Sequence, residues 1–215
     1  MRGFIESIPP VTKNIVAVNI LLFIATLVNE NFMVANFAMF YPSSPYFKIW
    51  QPLTHMFMHG GFWHIFFNMY TLLMFGSVLE RSIGSRRFLT FYFVTGLGAA
   101  ALHTGVEWLQ ATMFLANNSM LNYHALLMTP TLGASGAIYG VLIGYAMCYP
   151  QSRLTLIFPP VTLTAKWFVI IFAVIELFTG ISGFQDGVAH FAHLGGMLFG
   201  WLMIRWWRKR GGFYY

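Results

Sequence analysis

Ser135 and His193 are the two side chains whose chemistry and setting in this sequence best suit nucleophilic catalysis. A serine hydroxyl is a weak nucleophile until an adjacent base removes its proton, and a neutral imidazole is suited to that task near pH 7. Ser135 lies in the run Thr131-Leu-Gly-Ala-Ser-Gly-Ala-Ile-Tyr-Gly140, where glycines flank a hydroxyl inside an apolar segment. Because glycines let another helix approach closely, this stretch predicts a serine seated against a neighbouring helix.

The composition indicates a membrane protein. The chain has 215 residues, of which 58% are hydrophobic and only 8% charged, whereas soluble domains carry roughly 25% charged residues. This balance excludes a soluble binding module. The net charge of +6 comes from basic residues that flank apolar segments, which is typical of topology signals. We therefore expect the lipid bilayer as a partner and no nucleic acid. The single cysteine, Cys148, excludes an intrachain disulfide.

Six segments are long and apolar enough, or nearly so, to cross a hydrocarbon core that takes about 20 residues. These segments, called spans one to six below, cover residues 13–29, 62–80, 87–104, 132–149, 165–183 and 189–207. Apart from residues at segment ends, Glu176 is the only charge inside them. No cleavage site of small residues follows span one, so we expect an uncleaved helix and not a signal peptide. The prediction is one all-α membrane domain over residues 1–215.

The basic residues also predict orientation. With the N-terminus inside, eleven of the twelve lysines and arginines face the cytoplasm and only Lys48 lies outside. We expect a multi-pass protein of the cell (inner) membrane with both termini cytoplasmic. The outer segments 30–61 and 105–131 are then long loops, and the first is apolar enough to lie partly in the outer interface, as a functional loop or an aromatic belt. The inner connector 150–164 contains three prolines and should be non-helical.

Candidate polar residues share one depth in this topology. Spans two, four and six all run from outside to inside, so their first residues lie near the outer face. His64 and Asn68, one helical turn apart, open span two; Ser135 opens span four; His190 and His193 open span six. Polar groups in hydrocarbon are costly and should face the bundle interior or a water-filled cavity. We therefore expect these side chains to converge in a layer below the outer surface.

Glycines spaced by four residues should bring spans four and six together. They are Gly136, Gly140 and Gly144 on span four and Gly196 and Gly200 on span six. Small residues at this spacing allow close contact between helix backbones. A tight crossing of the two spans would place Ser135 and His193 within hydrogen-bond distance.

A third catalytic residue is not evident from the sequence. Glu30, Glu107 and Asp186 fall in outer loops, and Glu176 lies in the middle of span five. We therefore expect a serine–histidine dyad, with Asp186 as an alternative orienting residue. Tyr139, one turn after the serine, either stacks on the imidazole or only packs.

Acyl transfer also needs donors for a developing oxyanion. Ser135 opens a helix, so its backbone N–H has no partner within that helix and the helix dipole favours negative charge there. Asn68 offers an amide and His64 a ring N–H from span two. These three groups are the predicted oxyanion donors.

The chain resembles the rhomboid intramembrane serine proteases of bacterial type, and the likeness covers residues 48–207. The matching motifs are His64-Ile-Phe-Phe-Asn68, Gly133-Ala-Ser135-Gly136-Ala-Ile-Tyr139-Gly140, and Ala192-His193-Leu-Gly-Gly196 followed by Gly200. The resemblance implies a six-transmembrane-helix bundle whose first outer loop is embedded in the membrane. It implies that span five and the 184–188 loop form a substrate gate. In many bacterial members Trp-Arg stands where this chain has Trp50-Gln51, which puts a salt bridge anchoring the first outer loop in doubt.

The same resemblance implies an activity. Ser135 would be the nucleophile and His193 the general base of a covalent, acyl-enzyme endopeptidase. His64, Asn68 and the Ser135 amide would bind the oxyanion. The substrates would be other membrane proteins, cleaved in or near a transmembrane segment at a site open to the outer face. No cofactor or metal is expected.

Two alternatives remain open at this point. A metal or ion transporter could use the seven histidines, but no HExxH occurs and carboxylates are not expected in the histidine layer. His55 and His59 are better interpreted as donors that order the outer loop. An inactive relative that only binds membrane proteins would typically lack the serine or the histidine, and both are present.

Overall fold

The computed structural model describes residues 4–156, 160–182 and 189–211, and this part of the chain is mostly helical. The helices are α1 Phe4–Ser7, α2 Pro10–Val28, α3 Glu30–Phe37, α4 Gln51–Thr54, α5 Phe62–Thr71, α6 Ser77–Ile83, α7 Ser85–Ala116, α8 Met120–Met128, α9 Ser135–Cys148, α10 Ala165–Ser182 and α11 His190–Lys209. A 3-10 turn covers His55–Phe57, and a π-helical segment, Leu72–Gly76, joins α5 to α6. Two short antiparallel strands, β1 Arg153–Thr155 and β2 Thr162–Thr164, lie in the connector before α10.

Four helical stretches in the described part are long and apolar enough to cross a membrane. They are Pro10–Val28, Phe62–Ile83, Ser85–Ala116 and Ala165–Ser182. The apolar helix α9 has only 14 residues, which gives it a length of about 21 Å against a hydrocarbon core of roughly 30 Å. Helix α9 is therefore too short to cross the core by itself.

The outer segment 105–131 is largely helical, so its prediction as a loop is wrong. Helix α7 continues past span three to Ala116 and has 32 residues, about 48 Å of helix. No proline interrupts it, and the chain turns into α8 at Asn118, whose φ of 53° lies in the left-handed region that Asn tolerates. The extension is held by Ala111, which packs with Tyr41 and Leu127.

Helices α9 and α11 approach each other as the glycine spacing predicts. A Cβ added to Gly196 would lie 1.8 Å from the carbonyl oxygen of Gly136, and one added to Gly200 would lie 2.9 Å from that of Gly140. Real Cβ atoms do not come that close to a backbone oxygen. Glycines of α11 therefore permit direct contact with the α9 backbone.

The glycines of α9 serve mainly a different neighbour. A Cβ added to Gly140 would lie 2.4 Å from Cβ of Thr95, and one added to Gly136 would lie 2.6 Å from Cβ of Ala99. Both partners belong to α7. Gly136 and Gly140 of α9 therefore serve two contacts at once, one with the glycines of α11 and one with α7. The predicted close approach of spans four and six is confirmed, and the contact of the same glycines with α7 is an addition to it.

Gln51 anchors the first outer loop without a charge. The side chain has no exposed area (0%). Its Oε1 accepts hydrogen bonds from the backbone N–H groups of Lys48 (3.1 Å) and Phe40 (3.3 Å), and its Nε2 donates to the carbonyl of Tyr46 (2.9 Å). An uncharged amide therefore ties the loop to itself at position 51.

The same loop fixes the segment that precedes Ser135. Met39 and Thr131 exchange two backbone hydrogen bonds of 2.8 and 2.7 Å. The N–H of Gly133 donates to the carbonyl of His55 at 2.9 Å. The outer loop and the approach to α9 are consequently one hydrogen-bonded unit.

A buried carboxylate holds the opposite end of the bundle. Glu80 is 1% exposed and accepts hydrogen bonds from the backbone N–H groups of Val11 (3.0 Å) and Thr12 (2.7 Å), both in the first turn of α2. The hydroxyls of Thr12 and Ser85 each add a bond of 2.7 Å. An anion at a helix N-terminus is favoured because the dipole is positive there, so Glu80 joins α2, α6 and α7.

Candidate active site

The structure brings Ser135 and His193 together as the sequence predicts. Ser135 begins α9 and His193 lies in the first turn of α11. The Nε2 atom of His193 lies 2.8 Å from Oγ of Ser135, which is an ordinary hydrogen-bond distance. The imidazole is 7% exposed, so the pair lies in a sheltered part of the bundle where the hydroxyl proton has a base at hand.

Gly133 shapes the backbone beside the serine. Its φ of +136° is one that residues with a side chain rarely adopt. A Cβ added there would lie 2.9 Å from Nε2 of His64 and 3.5 Å from Oγ of Ser135. Glycine at this position therefore leaves the space between a candidate oxyanion donor and the candidate nucleophile open.

Tyr139 stacks on the candidate base. The rings of Tyr139 and His193 are 4.2 Å apart between centroids and inclined by only 8°. Of the two interpretations that the sequence left open for Tyr139, stacking is the one observed. The contact restricts rotation of the imidazole about its own bonds.

Glu176 lies beside His193, so the expectation that no carboxylate is well placed is wrong. Its Oε1 lies 3.0 Å from Nδ1 of His193 and accepts a hydrogen bond of 2.5 Å from the hydroxyl of Tyr139. The oxygen stands off the direction of the ring N–H, which makes the histidine contact a close charge contact and not a linear hydrogen bond. Helix α10 therefore adds a carboxylate on the far side of the imidazole from Ser135.

His190 binds the other oxygen of the same carboxylate. Its Nδ1 lies 2.6 Å from Oε2 of Glu176 and 3.1 Å from Oγ1 of Thr179. The rings of His190 and His193 are 6.5 Å apart and almost perpendicular. His190 of α11 is therefore paired with Glu176 of α10.

Glu176, His190 and His193 form a group that metal ions can use, with ligand atoms within 4.8 Å of one another. In a tetrahedral zinc site with bonds of about 2.0–2.1 Å, neighbouring ligand atoms lie about 3.3 Å apart. The nitrogen–oxygen separations of 2.6 and 3.0 Å are shorter. They are the distances of N–H groups facing a carboxylate, so the geometry favours protons over a metal between these residues.

The predicted oxyanion donors of span two border the same space as the serine. His64, Asn68, Ser135 and His193 all line one cavity of about 1510 Å³. The amide nitrogen of Asn68 donates to the carbonyl of His64 at 2.9 Å, which uses one of its two N–H bonds. The second N–H has no hydrogen-bond partner among the described residues. Tyr139 and residues of α7, α8 and α10 complete the wall.

The outer-loop histidines lie behind the site and are held neutral. Burial lowers the pKa of His55 to about 4 and that of His59 to about 3. Nδ1 of His55 lies 3.1 Å from the carbonyl of Gln51, which agrees with a loop-ordering role. The ring nitrogens of His59 have no well-aligned hydrogen bond among the described residues, and its donor role stays a prediction. The centroid of its ring lies 5.0 Å from that of His64.

One signal in the sequence pointed to Glu176. Apart from residues at the ends of the six spans, it is the only charge inside them, and a charged side chain within a transmembrane segment marks a functional site by default. Its side chain is 6% exposed, which is the inward orientation that this rule implies. The alternative orienting residue, Asp186, and the 184–188 loop lie outside the described residues.

The chain is similar to known proteins that contain a Rhomboid domain. The family model of the Rhomboid domain matches residues 46–210. RHOMBOID-like protein 4 of Arabidopsis thaliana is 31% identical over 157 residues, which are 72% of this chain and 33% of that protein. Rhomboid protease AarA of Providencia stuartii is 27% identical over 161 residues, 72% of this chain and 54% of that protein. Rhomboid protease GlpG of Yersinia pestis (strain Pestoides F) is 26% identical over 202 residues, 92% of this chain and 62% of that protein.

The chain thus spans between 33% and 62% of the length of these relatives. The matched domain covers most of the chain, and it contains three of the four membrane-length helices together with α9 and α11. The molecule is a multi-pass membrane protein with an all-α bundle. It belongs to the rhomboid family.

Proposed function

We propose that this protein is a serine endopeptidase that hydrolyses a peptide bond in or near a transmembrane segment of other membrane proteins. The observation that carries the proposal is the 2.8 Å contact between Oγ of Ser135 and Nε2 of His193 on the wall of a large cavity. Family membership supports it, because two of the relatives are named as rhomboid proteases.

The first half of the reaction forms an acyl-enzyme. Oγ of Ser135 attacks the carbonyl carbon of the scissile bond while its proton passes to Nε2 of His193. The tetrahedral intermediate collapses when the carbon–nitrogen bond breaks, and the leaving amine takes the proton from Nε2. The substrate's carbonyl carbon is then joined to Oγ as an ester.

Water completes the cycle. It gives a proton to Nε2 of His193 and attacks the ester carbon. The bond to Oγ breaks, Ser135 takes the proton back, and a carboxylic acid product leaves. The site therefore returns to its starting state with one peptide bond hydrolysed and one water consumed.

Three donors face the developing oxyanion in this scheme. They are the backbone N–H of Ser135, the free N–H of the Asn68 amide and the ring N–H of His64. The dipole of α9 is positive at Ser135, the first residue of the helix, and favours negative charge there. Removing one such donor from a hydrolase reduces the rate by about 10²–10³.

The orientation follows from the charges. Both termini lie in the cytoplasm and the cavity opens toward the outer face, because eleven of the twelve lysines and arginines then lie inside. The setting is the bacterial inner membrane. Water needed for deacylation reaches the serine from the outer side.

The test is cleavage of a model transmembrane substrate by the full chain in detergent, together with labelling by a fluorophosphonate. Wild type should label and cleave, and Ser135→Ala should do neither. Equal behaviour of the two proteins would refute the proposal. Cleavage should persist in excess chelator, and its loss there would revive the metal alternative.

A further inference from the structure

We propose that Glu176 is a positioning residue for His193, so that the site works as a serine–histidine–glutamate array in place of a dyad. The inference rests on the proposed function. It concerns how the base is oriented, and it assigns α10 a direct part in the chemistry.

The first argument is geometric. Ser135 lies on the Nε2 side of the imidazole at 2.8 Å, and Glu176 lies on the Nδ1 side at 3.0 Å. A neutral imidazole carries one proton, on one of its two nitrogens. Only the tautomer with hydrogen on Nδ1 leaves Nε2 free to accept the serine proton. A carboxylate at Nδ1 selects that tautomer and stabilises the imidazolium that forms during attack.

The second argument is the environment of the carboxylate. Glu176 is 6% exposed and lies in the middle of an apolar helix, where an anion is costly unless it is paired. Its oxygens meet three donors from two other helices, the hydroxyl of Tyr139, Nδ1 of His190 and Nδ1 of His193. These contacts hold the charge at one place, which is what orienting a base requires.

The third argument is the stacked tyrosine. Tyr139 lies parallel to the imidazole at 4.2 Å and also donates to Oε1 of Glu176. One residue thus fixes both the plane of the base and the position of its counter-charge. The contact between Oε1 and Nδ1 is not linear in this state, and hydrogen bonds of this kind commonly tighten only when substrate is bound.

A purely structural role is the rival interpretation. Glu176 would then serve only to bridge α10 to α11 through His190, whose contact of 2.6 Å is the shorter of the two. The two interpretations predict different effects of substitutions on stability and turnover. A bridge predicts that changing either partner costs stability alone, whereas positioning predicts a loss of turnover when the carboxylate is removed.

The experiment compares Glu176→Gln with His190→Gln and with Glu80→Gln, which neutralises a buried carboxylate at the far end of the bundle. Each full-chain variant is purified in detergent, its thermal midpoint is measured, and kcat and KM for a model transmembrane substrate are determined below that midpoint. In Glu176→Gln, kcat should fall by about 10² or more with KM within about threefold of wild type, as for an interaction made only in the transition state. His190→Gln should retain kcat within about tenfold of wild type because Glu176 still faces Nδ1.

Three results would overturn the inference. They are a wild-type kcat in Glu176→Gln, equal losses of kcat in Glu176→Gln and His190→Gln, and a kcat in Glu80→Gln as low as that of Glu176→Gln. If Glu176→Gln does not fold, Glu176→Asp decides, because it keeps the charge but withdraws it by about 1.5 Å, one carbon–carbon bond. Glu176→Asp should lose at least about tenfold in kcat, and wild-type turnover there would also refute positioning. Failure of wild type to cleave would instead refute the proposed function.

Discussion

Replacing Gly196 with alanine should separate the candidate nucleophile from its base. The new Cβ would lie 1.8 Å from the carbonyl oxygen of Gly136, whereas carbon and oxygen in contact need about 3.3 Å. The helices must therefore move apart by about 1.5 Å at this point. Ser135 lies one residue before Gly136 on α9, and His193 lies about one turn before Gly196 on α11.

The expected loss follows from that displacement. Adding about 1.5 Å to the 2.8 Å contact between Ser135 and His193 gives more than 4 Å, which is no longer a hydrogen bond. A misplacement of about 1 Å can cost about 10² in rate, and loss of the base costs about 10⁴ or more. Gly196→Ala should therefore reduce kcat by at least about 10², and overpacking should lower stability by about 1–3 kcal/mol.

Two further glycines provide the controls. A Cβ added to Gly200 would lie 2.9 Å from the carbonyl oxygen of Gly140 and one added to Gly105 would meet no heavy atom within 4 Å. Gly200→Ala must also displace Cγ2 of Ile143, which would lie 2.8 Å from the new Cβ. The backbone shift away from the Gly140 oxygen is only about 0.4 Å, so the variant should lose less activity than Gly196→Ala. Gly105→Ala adds the same methyl group within a helix and should raise stability by about 0.5–1 kcal/mol with unchanged turnover.

The assay is initial cleavage rate and fluorophosphonate labelling at a temperature below the midpoint of every variant. The order of activity should be Gly105→Ala, then Gly200→Ala, then Gly196→Ala. Wild-type activity in Gly196→Ala would show that the backbone contact between α9 and α11 does not set the distance between Ser135 and His193.

Three more changes test other parts of the structure. Glu80→Gln should lower the free energy of unfolding by about 2–3 kcal/mol because charge-assisted bonds at the start of α2 are lost; a denaturation midpoint equal to that of wild type would contradict this. Gln51→Leu keeps the side-chain volume but removes the amide that binds the loop, so the free energy of unfolding should fall by about 3 kcal/mol. Turnover should also fall, because the loop holds Gly133 beside the site; unchanged turnover would show that the loop does not support the site. Asn68→Ala should reduce kcat by about 10²–10³ with the thermal midpoint close to that of wild type, and an unchanged rate would remove Asn68 from the oxyanion site.

The pairing of Ser135 with His193 could be predicted because it depends on periodic features. The number of spans between the two residues places both at the same membrane face, and glycine spacing reveals where helices touch. Neither step requires a side-chain rotamer. The extent of α7 was missed for a related reason: apolarity ends near residue 104, but a helix continues as long as its residues tolerate helical geometry and no proline stops it.

The contacts of Glu176 and Gln51 could not be predicted in the same way. Span five is apolar on all sides, so its hydrophobic pattern gives no preferred face and leaves the rotation of α10 undetermined. The glutamate itself is the orientation signal, because a charge in a span turns inward. Gln51 forms hydrogen bonds with backbone groups of an irregular loop. The positions of such groups cannot be predicted from a periodic pattern in the sequence.

The two buried carboxylates, Glu80 and Glu176, differ in the groups that bind them, and this difference separates a structural role from a functional one. Glu80 is bound by backbone N–H groups and hydroxyls of α2 and α7, donors that do not exchange protons near neutral pH. Glu176 is bound by the Tyr139 hydroxyl and by two imidazoles, and one of these, His193, lies 2.8 Å from Oγ of Ser135. A carboxylate next to the candidate base can stabilise the positive charge that appears on His193 during attack, whereas Glu80 contacts only groups that join helices. The chemistry of the donors therefore supports a structural role for Glu80 and a functional role for Glu176.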